Sequence, residues 1–168
     1  MKMAKKLLAV VLAGVLVLSV LTGCGDAVST KAIAEAMSDV SKDDGFVYEA
    51  DPKLNEKARQ IAEMIRTKEE GNDSGNKTDI YDKIMGIMGD DYVGKYVWIA
   101  VTATEGGNVT AQARNLLEDV DEYSNINSAV ADDTSPANVR SIGTVPITEN
   151  GMDCLFAVII ADAVQDKV

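Results

Sequence analysis

Residues 139–161, VRSIGTVPITENGMDCLFAVIIA, decide the fold of this chain, because they hold its strongest strand-forming pattern. Two runs rich in apolar and β-branched residues lie on either side of Asn150-Gly151, a pair suited to the positive φ angles of a type I′ turn. The stretch therefore predicts an antiparallel hairpin. Its second run is apolar on both faces, which is typical of a covered central strand. Pro146 cannot donate to a ladder, so its strand is predicted to be peripheral there or to end.

Four segments before the hairpin have apolar residues at the three- and four-residue spacing of helices. The clearest begins at Asp51-Pro52, where Asp suits the capping position and Pro the first turn. A polar, glycine-bearing loop is predicted at 69–78. The β-branched and aromatic density of 92–103 (YVGKYVWIAVTA) indicates a strand or extended segment. The predicted helices cover 31–41, 52–68, 80–88 and 109–120.

This order of elements sets the expected fold class. Helices come first, a hairpin follows, and enough helices are present to cover both faces of a sheet. We therefore predict an α+β domain, arranged as a three-layer α/β/α sandwich with a mainly antiparallel sheet and a C-terminal hairpin.

The first two dozen residues have a different character. Residues 1–6 carry three lysines and no acid, and an uncharged apolar run follows over 7–21. A basic start and a short apolar run are typical of a secretory signal. The run is shorter than the roughly 20 residues that cross a bilayer comfortably. It ends in a sequence that resembles the bacterial lipobox: Leu21, Thr22, Gly23 and Cys24.

That resemblance implies cleavage before Cys24 and a covalent diacylglyceryl or acyl lipid on its thiol. Acyl chains give stable membrane attachment when two or more are present. We predict a signal peptide at 1–23, a lipidated tether at 24–30 and a single extracytoplasmic domain at 31–168. The protein is then held on the outer face of the cell membrane. The alternative is an uncleaved membrane anchor with an incidental cysteine.

Charge and cysteine content agree with an exported domain. Removing residues 1–23 takes away three lysines and no acid, so the net charge changes from −11 to −14. Such a surface repels phosphate backbones, which excludes nucleic acid as an expected partner. The expected partners are the membrane, through the lipid anchor, and an unknown protein or small ligand. Cys154 would be the one cysteine left unmodified, so no intrachain disulfide is expected. Its apolar neighbours predict burial.

Several stretches follow one another in an order that resembles the CAP superfamily of cysteine-rich secretory, antigen 5 and pathogenesis-related proteins. Residues 46–65 (FVYEADPKLNEKARQIAEMI) are similar to the Asp-Pro-x-Leu start of that family's alanine-rich second helix. The resemblance extends over roughly 31–162 and implies a CAP-like domain. The later matching stretches are 125–130 (NINSAV), 135–143 (SPANVRSIG) and 155–161.

The departures from that family concern its chemistry. Many CAP domains gather two histidines and two acidic residues in a cleft that can bind a divalent metal. This chain has no histidine, and Asn125 stands where a helix-end histidine would fall. The stretch 96–100 (YVWIA) replaces a strand that carries a glutamate. The resemblance therefore implies a degenerate domain with no metal site and no cofactor besides the lipid.

No other catalytic apparatus is evident in the sequence. Without histidine, Ser-His-Asp and Cys-His arrangements are excluded. Cys154 has no positively charged sequence neighbour to lower the pKa of its thiol. Acidic stretches at 118–122 and 72–79 lack the pattern of a calcium-binding loop. A Ser-Lys dyad stays open by composition. We predict that the protein has no catalytic residues and is not an enzyme.

Aromatic residues supply the one candidate ligand face. Trp98 is the sole tryptophan, with Tyr96 on the same face of the predicted strand and Tyr92 nearby. The alternative is that this face packs under a helix.

Three functions follow as hypotheses. The first is a membrane-anchored, non-catalytic binding or interaction module. The second is an accessory or substrate-capture lipoprotein of a membrane transport or secretion complex. The third, an envelope-polymer hydrolase, is disfavoured by the missing histidine.

Overall fold

The computed structural model describes residues 16–17, 28–70, 77–104, 108–122, 125–149 and 151–166. Four helices and five strands lie in this part of the chain, with short 3₁₀ turns at Lys42–Asp44 and Asp90–Tyr92. In chain order the elements are β1 (Leu16–Val17), α1 (Thr30–Val40), β2 (Val47–Ala50), α2 (Pro52–Glu70), α3 (Lys77–Met88), β3 (Lys95–Ala103), α4 (Val109–Glu122), β4 (Thr134–Glu149) and β5 (Met152–Gln165).

The strands form one mixed sheet in which β5 is central, between β4 and β3, and both pairings are antiparallel. On its other side, β4 pairs with β2 in parallel and with the two-residue β1 in antiparallel orientation. Because β1 lies within the predicted signal peptide, the predicted cleavage before Cys24 would remove it and leave a sheet of four strands. Glu149 pairs with Met152, so the connection between β4 and β5 is two residues long. Gly151 has φ 78°, a value that glycine adopts without a steric penalty. The predicted hairpin and the α+β class are confirmed.

Both faces of β5 are buried, and helices lie on each of them. Residues from α2 and α3 pack against one face, together with Phe156, Val158 and their alternating neighbours. Residues from α1 and α4 pack against the other face, which carries Leu155, Ala157 and Ile159. Within the described residues no helix combines the length and apolar character needed to cross a membrane.

Polar side chains cover the two outer edges of the sheet. On β3, the amide of Val97 donates to Asn125 Oδ1 at 2.8 Å, and that of Val101 donates to Asp119 Oδ2 at 3.2 Å. On β2, the amide of Tyr48 donates to Ser38 Oγ at 2.8 Å, and this hydroxyl donates to the Tyr48 carbonyl at 3.2 Å. Exposed strand edges recruit other strands. These contacts therefore limit further pairing.

The start of α2 sits directly on β4. The Asp51 amide donates to the Ile142 carbonyl at 2.9 Å, and the Thr144 amide donates to Asn55 Oδ1 at 2.9 Å. Between these two bonds lies Gly143, whose missing side chain lets the backbone of Leu54 and its neighbour approach. Asp51 also caps α2, because its Oδ1 accepts from the Lys53 amide at 2.8 Å.

Two sequence-based predictions need correction, and one strand lies where the sequence predicts none. The strand predicted from residue 92 begins at Lys95, because Tyr92 belongs to a 3₁₀ turn and Gly94 turns the chain with φ 77°. The predicted loop at 69–78 is shorter, since α2 continues to Glu70 and α3 starts at Lys77. Strand β2 was not predicted at all.

The β4 strand continues through Pro146, which pairs with Leu155 of β5. On the opposite side, β2 and β1 pair with residues 139–142 and 148–149 of β4. Among the described residues no strand therefore pairs with β4 at Pro146 on that side. This is the peripheral position expected of a residue that cannot donate to a ladder.

Candidate functional site

The predicted lipid-attachment sequence lies outside the described residues. This applies to Leu21, Thr22, Gly23 and Cys24. The first helix, α1, begins six positions after Cys24, at Thr30. Sites formed by α1 and the elements after it belong to the domain that would follow the tether.

The predicted aromatic residues divide between the two faces of the sheet. Tyr96 and Trp98 stack at a ring-centroid distance of 5.6 Å with an interplanar angle of 15°. Trp98 is only 6% exposed and belongs to the core cluster under α1 and α4. Tyr92 is buried in the other cluster, under α2 and α3. Burial raises the pKa of Tyr92, and the negative charges of Asp51 and Asp91 add to that effect.

Tyr96 and Trp98 belong to a larger aromatic group around Arg140, a residue that no sequence pattern indicated as part of a site. The guanidinium carbon of Arg140 lies 3.9 Å from the ring centroid of Phe46, 5.3 Å from that of Trp98 and 5.7 Å from that of Tyr48. We call Phe46, Tyr48, Tyr96, Trp98 and Arg140 the arginine box. Distances below about 6 Å allow favourable cation–π attraction.

Strand register assembles this box. Tyr48 of β2 pairs with Arg140 of β4, Arg140 pairs with Ala161 of β5, and Ala161 pairs with Tyr96 of β3. Paired residues on neighbouring strands point to the same face of a sheet. The small side chain of Ala161 leaves space between its two larger neighbours. One row across four strands therefore places a cation among aromatic rings.

Arg140 is an unusual buried charge. It is 5% exposed, and its Nη1 donates to the Tyr48 hydroxyl at 3.0 Å. Its Nε is buried and has no hydrogen-bond partner among the residues that the structure describes. Within the described residues it forms no ion pair with a carboxylate. Ring faces and one phenol oxygen therefore supply the contacts that a carboxylate usually provides.

Replacing Arg140 with Met should change the free energy of unfolding by less than about 1 kcal/mol. The variant loses cation–π attraction and one hydrogen bond, but it removes a buried charge and puts an unbranched apolar side chain among the rings. Urea unfolding followed by the fluorescence of Trp98 measures the change. A loss above about 3 kcal/mol is typical of breaking a buried ion pair, and would mean that Arg140 has a charged partner.

A surface pocket of about 260 Å³ adjoins the arginine box, between α1, β2 and α4. Phe46 and Tyr48 belong to both features. The pocket walls combine apolar, hydroxyl and charged side chains, namely Val40, Ser41, Asp44, Phe46, Tyr48, Arg114, Leu117 and Glu118.

The charged side chains of the pocket are exposed and available for contacts with a ligand. In the described part of the chain, the side chains of Asp44, Arg114 and Glu118 form no hydrogen bond or ion pair. Arg114 and Glu118 are one turn apart on α4, a spacing at which opposite charges often pair. No local sequence pattern predicts this pocket, because its residues come from three separate segments.

Asn125 has a structural place in the fold. Its Oδ1 accepts from the amides of Val97 and Asn127 at 2.8 and 3.1 Å, and its Nδ2 donates to the Asn127 carbonyl at 2.8 Å. Among the described residues no group of three or more His, Cys, Asp or Glu side chains is arranged to hold a metal ion. Cys154 is a buried residue, 1% exposed.

Comparison with known proteins adds no relative: no family model, curated protein or solved structure matches the chain.

Proposed function

We propose that this protein is a membrane-anchored extracytoplasmic lipoprotein whose domain is a non-catalytic binding module. The observation that carries the anchoring is the sequence that ends at Cys24, with its basic start and its short apolar run. The observation that supports binding is the pocket between α1, β2 and α4, whose walls include apolar side chains and three charged ones that form no ion pair in the described part of the chain. Sites that combine an apolar lining with a few polar groups are typical of small-molecule binding.

The position of the tether supports this combination. Thr30 Oγ1 lies 3.0 Å from Asn55 Oδ1 and 2.7 Å from Thr144 Oγ1, so the first residue of α1 is fixed to the domain. The six steps from Cys24 to Thr30 reach at most about 20 Å. Val40 and Ser41 line the pocket at the far end of the 11-residue helix α1, about 16 Å from its start. The tether would therefore hold the domain by the end away from the pocket.

The proposal includes a degenerate CAP-like domain. The order of the helices and strands supports this part of the proposal, because α2 begins directly after Asp51 and the hairpin of β4 and β5 ends the domain. Asn125, which stands where that family has a histidine, is used in backbone hydrogen bonds. Together with the absence of histidine from the chain, this favours binding over hydrolysis.

Replacing Cys24 with Ala should abolish incorporation of labelled palmitate and leave unprocessed precursor, because the lipid needs that sulfur. The chain has one other cysteine, so Cys154→Ala is the matched control and should incorporate label normally. Metabolic labelling of cells followed by electrophoresis measures both. Label that persists in Cys24→Ala, or that moves to Cys154, contradicts the lipoprotein proposal.

A further inference from the structure

We infer that the pocket between α1, β2 and α4 binds a small zwitterion, a molecule with one carboxylate and one ammonium group on an apolar body. Free α-amino acids with apolar side chains exemplify this class. The inference rests on the proposed function, since it names the kind of ligand that the binding module takes.

Size limits the ligand first. An apolar cavity of about 150 Å³ in another protein holds one benzene molecule. The pocket here has about 260 Å³, which is room for a ring or a branched aliphatic group with several further heavy atoms. The side chains of Val40, Phe46 and Leu117 provide apolar surface for the body of the ligand.

The charged side chains of the pocket then determine which polar groups the ligand carries. Arg114 presents a planar guanidinium, the side chain best suited to a bidentate contact with a carboxylate. Asp44 and Glu118 can accept hydrogen bonds from an ammonium group. Arg114 and Glu118 lie on one face of α4, whereas Asp44 belongs to the 3₁₀ turn after α1. Both signs of charge are therefore offered at one pocket and, within the described residues, neither is satisfied internally.

The arginine box decides against a purely cationic ligand held by aromatic rings. The Phe46 ring already has the Arg140 guanidinium 3.9 Å from its centroid. A second cation at this ring would meet like-charge repulsion, so the ammonium group is directed to the two carboxylates. With Arg140 included, the charged groups at the site comprise two acidic and two basic side chains. A ligand without net charge matches that balance.

The test uses the lipidated protein in phospholipid nanodiscs, with L-phenylalanine, 2-phenylethylamine and 3-phenylpropionate as probes. These three share the phenyl ring but carry both charges, only the ammonium or only the carboxylate. Saturation-transfer NMR and the fluorescence of Trp98 report binding. We expect L-phenylalanine to bind at least about tenfold more tightly than either analogue, because each analogue leaves a charged group of the pocket unpaired.

Variants separate the two halves of the site. Arg114→Gln should weaken L-phenylalanine at least about tenfold and leave 2-phenylethylamine nearly unchanged, and Glu118→Gln should weaken 2-phenylethylamine but spare 3-phenylpropionate. The matched controls are Arg59→Gln and Glu63→Gln, an exposed pair with the same four-residue spacing on α2, which should bind all probes as the parent does. Leu117→Trp, which fills the pocket, should abolish binding.

The outcomes also distinguish this inference from the proposed function. If 2-phenylethylamine binds as tightly as L-phenylalanine, the pocket is a cation site. If 3-phenylpropionate binds as tightly as L-phenylalanine, the pocket is an anion site. Either result overturns the zwitterion and leaves a binding module. Binding that survives Leu117→Trp overturns the location. If no probe binds, the zwitterion inference fails, while palmitate labelling decides the anchoring independently.

Discussion

Replacing Gly143 with Ala should lower the free energy of unfolding by at least about 3 kcal/mol, the largest effect expected from a single methyl group in this protein. A Cβ atom at this position would overlap the backbone carbonyl carbon of Leu54 and the amide nitrogen of Asn55. Backbone atoms at the start of a helix cannot move aside as the end of a flexible side chain can. Overpacking alone costs about 1–3 kcal/mol.

The displacement would also break polar contacts. If α2 moves away from β4, the bonds from the Asp51 amide to the Ile142 carbonyl and from the Thr144 amide to Asn55 Oδ1 lengthen together. Each such bond contributes about 0.5–1.5 kcal/mol. The combined loss is a large fraction of the 5–15 kcal/mol that stabilises a typical domain.

The matched control is the same substitution at Gly86, which lies inside α3, where an added Cβ would meet no described atom within 4 Å beyond the helix's own backbone and the adjacent residues. Alanine is the better helix former, so Gly86→Ala should raise stability by about 0.5–1 kcal/mol. Urea unfolding of both variants gives the comparison. If Gly143→Ala unfolds as the parent does, α2 does not contact β4 as closely as the structure indicates.

Much of this fold could be predicted because most of its helices and strands are marked by sequence patterns within the element itself. The helix after Asp51 has a cap, a proline in the first turn and one apolar stripe, and all three signals lie within a few residues of each other. The hairpin likewise depends on Asn150-Gly151 and on the runs beside it. Such elements need no knowledge of the rest of the chain.

Strand β2 shows where local reasoning fails. It has four residues, Val47–Ala50, and it pairs with 139–142, about ninety positions later in the chain. A parallel pairing of that kind has no turn residue to mark it. A strand of this length lacks the alternation that distinguishes strands from loops. Its exposed Val47, at 45% exposure, further hides the pattern.

The candidate site was harder to predict for the same reason. Tyr96 and Trp98 are two positions apart on one strand, so the sequence places them on one face. Arg140 joins them through the pairing of β4 with β5, and Tyr48 joins through the pairing of β2 with β4. Neither register can be read from a single segment. The pocket additionally requires the placement of α1 against α4, which depends on how each helix packs on the sheet.

Replacing Phe156 with Ala should cost about 3–5 kcal/mol of unfolding free energy, and replacing Ile159 with Ala about 2–5 kcal/mol. Both side chains are 0% exposed, but they belong to different core clusters, because side chains alternate along β5. Phe156 contacts the cluster under α2 and α3, and Ile159 the cluster under α1 and α4. Each variant therefore reports on one face of the sheet.

The pair of variants tests the three-layer arrangement predicted from the sequence. A two-layer domain has a solvent-facing side of its sheet, and truncation on that side is usually neutral within about 0.5 kcal/mol. Val164→Ala provides the control, since Val164 lies on the same strand and is 43% exposed. This substitution should change the free energy of unfolding by no more than about 0.5 kcal/mol. Urea unfolding measures all three variants under the same conditions. If either Phe156→Ala or Ile159→Ala behaves like Val164→Ala, the helices do not cover that face of β5. The three-layer arrangement is then wrong, even though the α+β class stands.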